Sequence, residues 1–472
     1  MSSSPSGPGV VSFEVARRVV EEHAARARAA AIESRSTEAV DLTAARGRVL
    51  AEALVADRDF PPFARATRDG YAVRAKDVER VPARLQVVGE IKAGDSAEKI
   101  AVGAGQAVSI MTGAPLPSGA NTVVMVENTE NPHPNAAQNA ALGWGTVERS
   151  GSANGFVEIL RGVISGENFV PRGAEARVGQ TLVEAGRRLD HSLIAIAASV
   201  GKSRLQVFRR PRVAVLSTGD EVVEIGATPG PSQIRNSNSY SLVAQIEDAG
   251  AEAVRLAIAP DEPGRLRELI LEGLACDLLL LTGGVSMGKY DLVEQVLSEL
   301  GAEFCFTGAK IQPGKPVVFG ACKVEASGSH PNAAQNAALG WGTHGSDSAD
   351  ISRAGAPALH NRYFFGLPGN PVSTMVTFRL FAQPLLAALS GASPEPLVFL
   401  SARLKGDVRT KTGLTRFLPA VISGEFANAE VELAAWQGSG DIAALARANC
   451  YLVLPPDRER VAAGEMVSVM AP

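Results

Sequence analysis

Apolar positions along the chain change their period three times, and each change marks a different kind of structure. In SFEVARRVVEEHAARA, Phe13, Ala16, Val19, Val20 and His23 fall on one face at helical spacing behind Ser12 as N-cap, which predicts an opening amphipathic helix. From 53 to about 200, short alternating runs broken by glycine turns, such as RLQVVGEIKAG and QAVSIMTGAPLPSGANTVVMVE, predict a mostly β region closed by a helix at about 191–201. RVAVLSTG, SNSYSLVAQIEDAG, AEAVRLAIAP, EPGRLRELILEGLA, CDLLLLTGG and DLVEQVLSELG then alternate strand with helix. That order predicts right-handed βαβ units around a parallel sheet. After 394 the alternation of VFLSARLKGD, TRFLPAVIS, AEVELAAW, CYLVLP and EMVSVMAP predicts a small separate β domain.

One stretch fits none of these patterns. HPNAAQNAALGWGT occurs at 133–146 and again, letter for letter, at 330–343, with unrelated flanks, so it is not a stacked structural repeat. Each copy follows a strand-like run (VVMVE, PVVFG) and precedes another (FVEIL, RYFFGL). Both read as insertions into loops between strands, where extra length costs little, and their Asn-, Ser-, Gly- and Pro-rich surroundings favour disorder. The competing readings are metal binding by His133, His330 and His344 and partner anchoring by Trp144 and Trp341.

Composition narrows the class. With 472 residues, 46% of them hydrophobic, the chain has material for several cores. The net charge of −4 and the lack of a Lys/Arg block argue against nucleic acid as a partner. The start, MSSSPSGPGVVSF, has neither a basic nor an apolar leader region, and no apolar run approaches the roughly 18 residues that span a bilayer. The expectation is a cytoplasmic protein without a membrane partner. Cys276, Cys305, Cys322 and Cys450 are scattered, which signals neither a disulfide framework nor a zinc site.

Parallel sheets bind ligands beyond the carboxyl ends of their strands, so the loops there carry the candidate chemistry. TGGVSMGKYD supplies Gly283, Gly284 and Gly288, whose backbone N–H groups approach an anion closely, and Asp291 as either N-cap or cation ligand. Asp220 and Glu221 in LSTGDEV are paired carboxylates suited to Mg²⁺ or to acid–base work, or simply solvated turn residues. QPGKPVV offers a tight turn at Gly314 and the point charge of Lys315. In GLPGNPVS, Asn370 reads as an N-cap, Pro371 as the first helical residue and Ser373 as part of the first turn. GSGDIAALARAN reads as a helix opening at Ser439, and Arg416 of TRFLP is placed to fork onto an oxyanion.

Taken together, RDGYAV, IMTGAPLPSGANTVVMVE, RPRVAVLSTGDEV, NSNSY, TGGVSMGKYD, PGKP, GLPGNPVS and GSGDIAALARAN resemble the molybdopterin molybdotransferase family, that of bacterial MoeA and the gephyrin E domain. They run in the family's order from about 12 to the end of the chain. The resemblance implies a multi-domain α/β plus β architecture. A central MogA/MoaB-like three-layer αβα domain with a parallel-rich sheet stands beside β-rich N-terminal domains and a small C-terminal β-barrel. The expected boundaries are an N-terminal helix at 10–30 packing on the αβα domain; a linking β-rich domain at 31–58 and 162–206; an inserted β domain at 59–161 with a disordered insert at about 129–154; the αβα molybdopterin-binding domain at 207–392 with another at about 325–358; and a β domain at 393–472.

The resemblance also implies a homodimer that inserts molybdate into adenylylated molybdopterin, with Mg²⁺-assisted release of AMP. Asp69, Glu221, Asp261 and Asp291 match catalytic positions, and Glu221, Asp261 and Asp291 would hold the metal. Thr112, Glu175 (in place of a family Asp), Gly283, Gly284, Ser286 and Asn370 match substrate-binding positions. Lys315, Pro316, Ser373, Arg416 and Ser439 resemble the molybdate pocket, with Pro368 and Pro371 as its wall. A dianion and a pyrophosphate suit cations, backbone N–H groups and helix starts, whereas the carboxylates suit Mg²⁺. The chain departs from the family at Ala64 and Arg68, at Asn236 for a usual Asp, and at Gln312, where a Lys often precedes PGKP. Implied partners are the molybdopterin adenylyltransferase and molybdoenzyme maturation factors. The alternatives are a non-catalytic scaffold on the same fold and a molybdopterin adenylyltransferase.

Overall fold

The structure is a computed structural model that describes residues 9–130, 155–284, 292–325 and 359–471. Both copies of HPNAAQNAALGWGT, together with Ser286, Gly288 and Asp291, lie outside the described residues. The chain forms two units, a smaller one of Glu52–Ala185 with His191–Arg204 and a larger one of Met1–Ala51, Gly186–Asp190 and Leu205–Pro472.

In the smaller unit the alternating runs become β1 (Gly70–Val73), β2 (Ala83–Ile91), β3 (Gln106–Ile110), β4 (Thr122–Met125), β5 (Thr129–Glu130) and β6 (Gly155–Ile159). They form one sheet in the order β4-β1-β3-β2-β6-β5. Because side chains alternate along a strand, Tyr71 and Val73 enter one core with Val124 and Val157, while Ala72 enters the other with Val108 and Ile110. Gly70 of RDGYA lies where the backbone carbonyl of Val124 would occupy the space of any Cβ. The strands on either side of the first insert are paired, Thr129 with Ile159 and Glu130 with Glu158. The helix expected at the end of this region is His191–Ser199.

The larger unit begins with α1 (Phe13–Glu33), capped as expected by Ser12, whose Oγ accepts from the Val15 N–H at 3.2 Å. Its buried face is built of small residues, Ala16, Ala24 and Ala27 with Val20, and His23 meets Phe319 and Tyr363 edge-on. The strand–helix alternation produces β7 (Arg212–Ser217), α2 (Ser237–Asp248), β8 (Glu252–Arg255), α3 (Pro263–Leu274), β9 (Leu278–Thr282) and α4 (Leu292–Glu299). With β10 (Glu303–Phe306), β12 (Val318–Glu325) and β13 (Leu359–Leu367), the sheet order is β8-β7-β9-β13-β12-β10. The first three ladders are parallel and the last two antiparallel, so the sheet is mixed rather than wholly parallel. The antiparallel pair β12–β13 flanks the second insert and needs no crossover helix. Leu278 to Leu281 are all buried because both faces of this central strand are covered; Leu278 and Leu280 enter one core, Leu279 and Leu281 the other.

Residues 371–389 form a 19-residue helical stretch that is long and apolar enough to cross a membrane. It consists of α5 (Pro371–Thr377), a π-turn at Phe378–Ala382 and α6 (Gln383–Leu389). Val372, Val376, Phe381 and Leu385 are fully buried and pack in one core with Ala16 and Val20 of α1. The stretch is mostly apolar because it is a core helix, and its few long polar side chains pair at the less buried edge, where Arg379 Nη1 donates to Gln383 Oε1. Its π-turn ends two residues before Pro384, whose ring excludes a regular bond to the carbonyl four residues back.

The C-terminal strands β14 (Phe399–Leu404), β15 (Thr415–Ser423), β16 (Glu430–Leu433), β17 (Cys450–Leu454) and β18 (Met466–Met470) close into a small barrel through the β15–β17 pairing. A further strand, β11 (Ile311–Gln312), leaves the αβα region and adds to the barrel edge, pairing Ile311 with Thr415 and Gln312 with Arg416. All four cysteines are free thiols, and burial pushes that of Cys322 up to about 11.

Candidate active site

Three segments that are distant in sequence meet where β11 joins the barrel. Gly314 in PGKP takes φ +107°, and a Cβ there would run into the Thr377 methyl, so the turn carrying Lys315 packs directly on α5. In GLPGNPVS, Pro371 opens α5 and the Thr374 hydroxyl donates to the Pro368 carbonyl, which fixes the turn before the helix. Asn370 takes the N-cap position, but its side chain makes no capping bond. Its Nδ2 instead donates to Ser439 Oγ at 2.9 Å, and the Val372 N–H donates to the Ser439 carbonyl at 3.2 Å. Ser439 is not a helix start either. The helix α7 is Ile442–Arg447, and its cap is Asp441, which accepts from the Ala444 N–H.

The result is a cavity of about 300 Å³. Gln312, Lys315, Asn370, Ser373 and Ser439 supply its polar lining, Pro313, Pro316 and Pro368 its stiff wall, and Ile311, Leu414 and Trp436 its apolar wall. Lys315 is the cation among these lining residues. Arg416 does not line the cavity. It is buried beside Gln312 in the ladder, and its Nη1 donates to the Leu414 carbonyl at 3.1 Å.

A second cluster lies at the carboxyl ends of β7, β8 and β9. The Gly219 N–H donates to the Ala259 carbonyl, and the Asp261 N–H donates to Asp220 Oδ1 at 3.1 Å, which draws the two acidic loops together. Gly219 at φ +123° lets the Glu221 carboxylate fold back over it. Gly283 and Gly284, at φ +90° and +62°, press against Thr218, whose carbonyl and hydroxyl would collide with any Cβ there. Asn238 ties this cluster to the cavity, its Nδ2 donating to Thr282 Oγ1 at 2.9 Å and to the Gly369 carbonyl at 2.7 Å. Asn236 caps α2 and accepts from Ser217 Oγ, so the exchange for Asp keeps the cap. Thr218 Oγ1, Asn238 Oδ1 and Ser239 Oγ are buried without a partner among the described residues, an uncommon cost in a native fold.

The smaller unit holds the remaining matched positions. Asp69 Oδ1 accepts from both the backbone N–H and the hydroxyl of Thr112, at 2.6 and 2.8 Å. These donations hold the Asp69 carboxyl below its ordinary range, the backbone bond contributing most. Glu175 forms a half-exposed ion pair with Arg65 at 2.7 Å. Among the described residues no three His, Cys, Asp or Glu side chains converge as a ready metal centre. Asp220, Glu221 and Asp261 are nevertheless neighbouring hard oxygen donors, the type that Mg²⁺ takes with retained water.

Sequence reading missed Thr218, Asn238, Leu414 and Trp436. Asn238 sits inside the NSNSY motif, but nothing in its spacing reveals partners 44 and 131 residues away. Trp436 closes the AEVELAAW run, which reads as strand only.

Comparisons with known proteins cover nearly the whole chain. Residues 11–201 match the MoeA N-terminal region (domain I and II), 214–388 a probable molybdopterin binding domain, and 401–471 the MoeA C-terminal region (domain IV). A molybdopterin molybdenumtransferase of Nostoc sp. is 34% identical, covering 92% of this chain and 88% of its own. Molybdopterin molybdenumtransferase 1 of Mycobacterium tuberculosis is 31% identical over 96% of this chain and 98% of its own. Among solved structures, a molybdopterin biosynthesis MoeA protein of Pyrococcus horikoshii is similar at TM-score 0.61 and 30% identity, covering 98% of this chain and 99% of that one.

Proposed function

The chain belongs to the MoeA family and is a molybdopterin molybdenumtransferase of molybdenum cofactor biosynthesis, and from that premise we propose that the cavity at PGKP, GLPGNP and GSGD receives molybdate. The observation that carries this reading is the convergence of Lys315, Ser373 and Ser439, from three separate segments, on one cavity. Lys315 attracts the dianion, the serine hydroxyls donate to its oxygens, and the prolines hold the wall rigid.

The organic substrate, adenylylated molybdopterin, extends from the cavity along the Asn238 link toward the glycine loop that begins at Gly283 and Gly284. Asp220, Glu221 and Asp261, with Asp291 from outside the described residues, would hold Mg²⁺, and the ion would supply neutralisation of phosphate charge. Asp69 stays anionic at neutral pH and serves as an acceptor, never as a proton donor. The protein's contribution is therefore positioning and electrostatics without a protein nucleophile. We place the enzyme in the cytoplasm as a homodimer, supplied by the adenylyltransferase and followed by molybdoenzyme maturation factors; the four free thiols accord with a reducing compartment.

Incubation with adenylylated molybdopterin and Mg²⁺ tests the reading. AMP should appear only when molybdate is added. No release with molybdate present would favour a scaffold, and AMP incorporation from ATP into molybdopterin would identify an adenylyltransferase.

A further inference from the structure

The apolar wall of the cavity has no task in oxyanion binding. Ile311, Leu414 and Trp436 face the same space as Lys315, Ser373 and Ser439, yet a dianion gains nothing from an aliphatic or indole surface. The cavity is also larger than its anion. At roughly 30 Å³ per water-sized oxygen, a tetrahedral oxyanion fills about two-fifths of the space, and about 300 Å³ is where pockets for organic ligands begin.

Trp436 is the aromatic side chain among the lining residues. It is half-buried, packed against the barrel core that contains Leu418, Val431 and Leu452. Among the described residues no ring and no cation stacks on it; the ring pairs and cation contacts of the molecule lie elsewhere. The loop that carries it is held in place. Arg447 Nη2 donates to the Ala435 carbonyl at 2.7 Å, the Gln437 N–H donates to Asp441 Oδ2 at 3.0 Å, and Ser439 is fastened to Asn370. A rigid indole with an unpartnered surface on a substrate cavity is a stacking platform, because a flat heteroaromatic ring there gains both buried area and favourable ring contact.

We propose that Trp436 binds the organic substrate by stacking its pterin ring, holding it on the apolar wall while the oxyanion sits on the Lys315 wall. This rests on the cavity being the molybdenum-transfer site. The residue would thus set the position of the acceptor relative to the incoming metal oxyanion and discriminate pterin-bearing substrates from other phosphate esters.

Two measurements test it. In AMP-release kinetics, Trp436→Ala should raise KM for adenylylated molybdopterin about tenfold, as loss of one ring stack typically does, with KM for molybdate changed less than about twofold and Trp436→Phe restoring most of the loss. In a Trp144→Phe/Trp341→Phe protein, Trp436 is the remaining tryptophan, and its emission should be quenched by adenylylated molybdopterin but not by molybdate alone. An unchanged KM in Trp436→Ala, or an equal rise in both KM values, overturns the proposal. If that variant fails to fold, the fluorescence titration decides alone, and absence of quenching by the pterin compound overturns it. A parent protein that releases no AMP refutes the transfer reading separately, and the quenching result still decides whether Trp436 stacks on the pterin.

Discussion

Asp69 shows how far a single residue can be read from sequence. RDGYA marks the position, but the reason for its behaviour is the pair of donations from Thr112, 43 residues on. Because its folded pKa lies below the ordinary value of 3.8, Asp69 contributes stability above that value and loses it as pH falls through the lower folded one. Asp69→Asn should therefore lower the unfolding midpoint at neutral pH and flatten its further fall below about pH 4. Denaturant titrations at several pH values measure this, and parallel pH profiles for the two proteins would contradict it. Asn370 and Ser439 teach the same lesson. Both were legible as polar residues near helix starts, but they bond to each other across 69 residues, a partnership that no local spacing encodes.

At the scale of elements, periodicity was a good guide where an element's environment is uniform. Ser12 and the 3.6-residue stripe gave α1, and the unbroken CDLLLL run gave a strand covered on both faces. Two features of recognised elements escaped. The mixed edge of the sheet arises from β12 and β13, whose hairpin is split in sequence by the second insert. The helix at 371–389 was legible at its start, where Pro371 opens it behind Asn370, but not its π-turn at Phe378–Ala382 or its burial in the core. The β12–β13 ladder runs in register up to Glu325 opposite Leu359, which gives a firm expectation for the duplicated segment. Deleting residues 328–355 leaves enough chain to close the hairpin, so AMP release should stay within about twofold of the parent and stability within about 1 kcal/mol. A folded deletion variant that has lost activity would restore a functional role to HPNAAQNAALGWGT.

For the whole molecule, the order of motifs announced the family, and the order of patterns announced the succession of β, α/β and β regions. What the motifs did not show is that the αβα region and the barrel share a strand ladder, Ile311–Gln312 on Thr415–Arg416, and that a cavity forms at that joint. On the proposed reading this cavity is the molybdate site. Its lining has one cation, Lys315, and one polar residue, Gln312, at a position where a second cation would fit. The most direct test is the molybdate dependence of AMP release across Lys315→Gln, the parent and Gln312→Lys at low and high salt. Each step in charge should tighten apparent molybdate binding by roughly three- to tenfold at low salt, with the differences shrinking at high salt. Three proteins with the same molybdate dependence would contradict the claim.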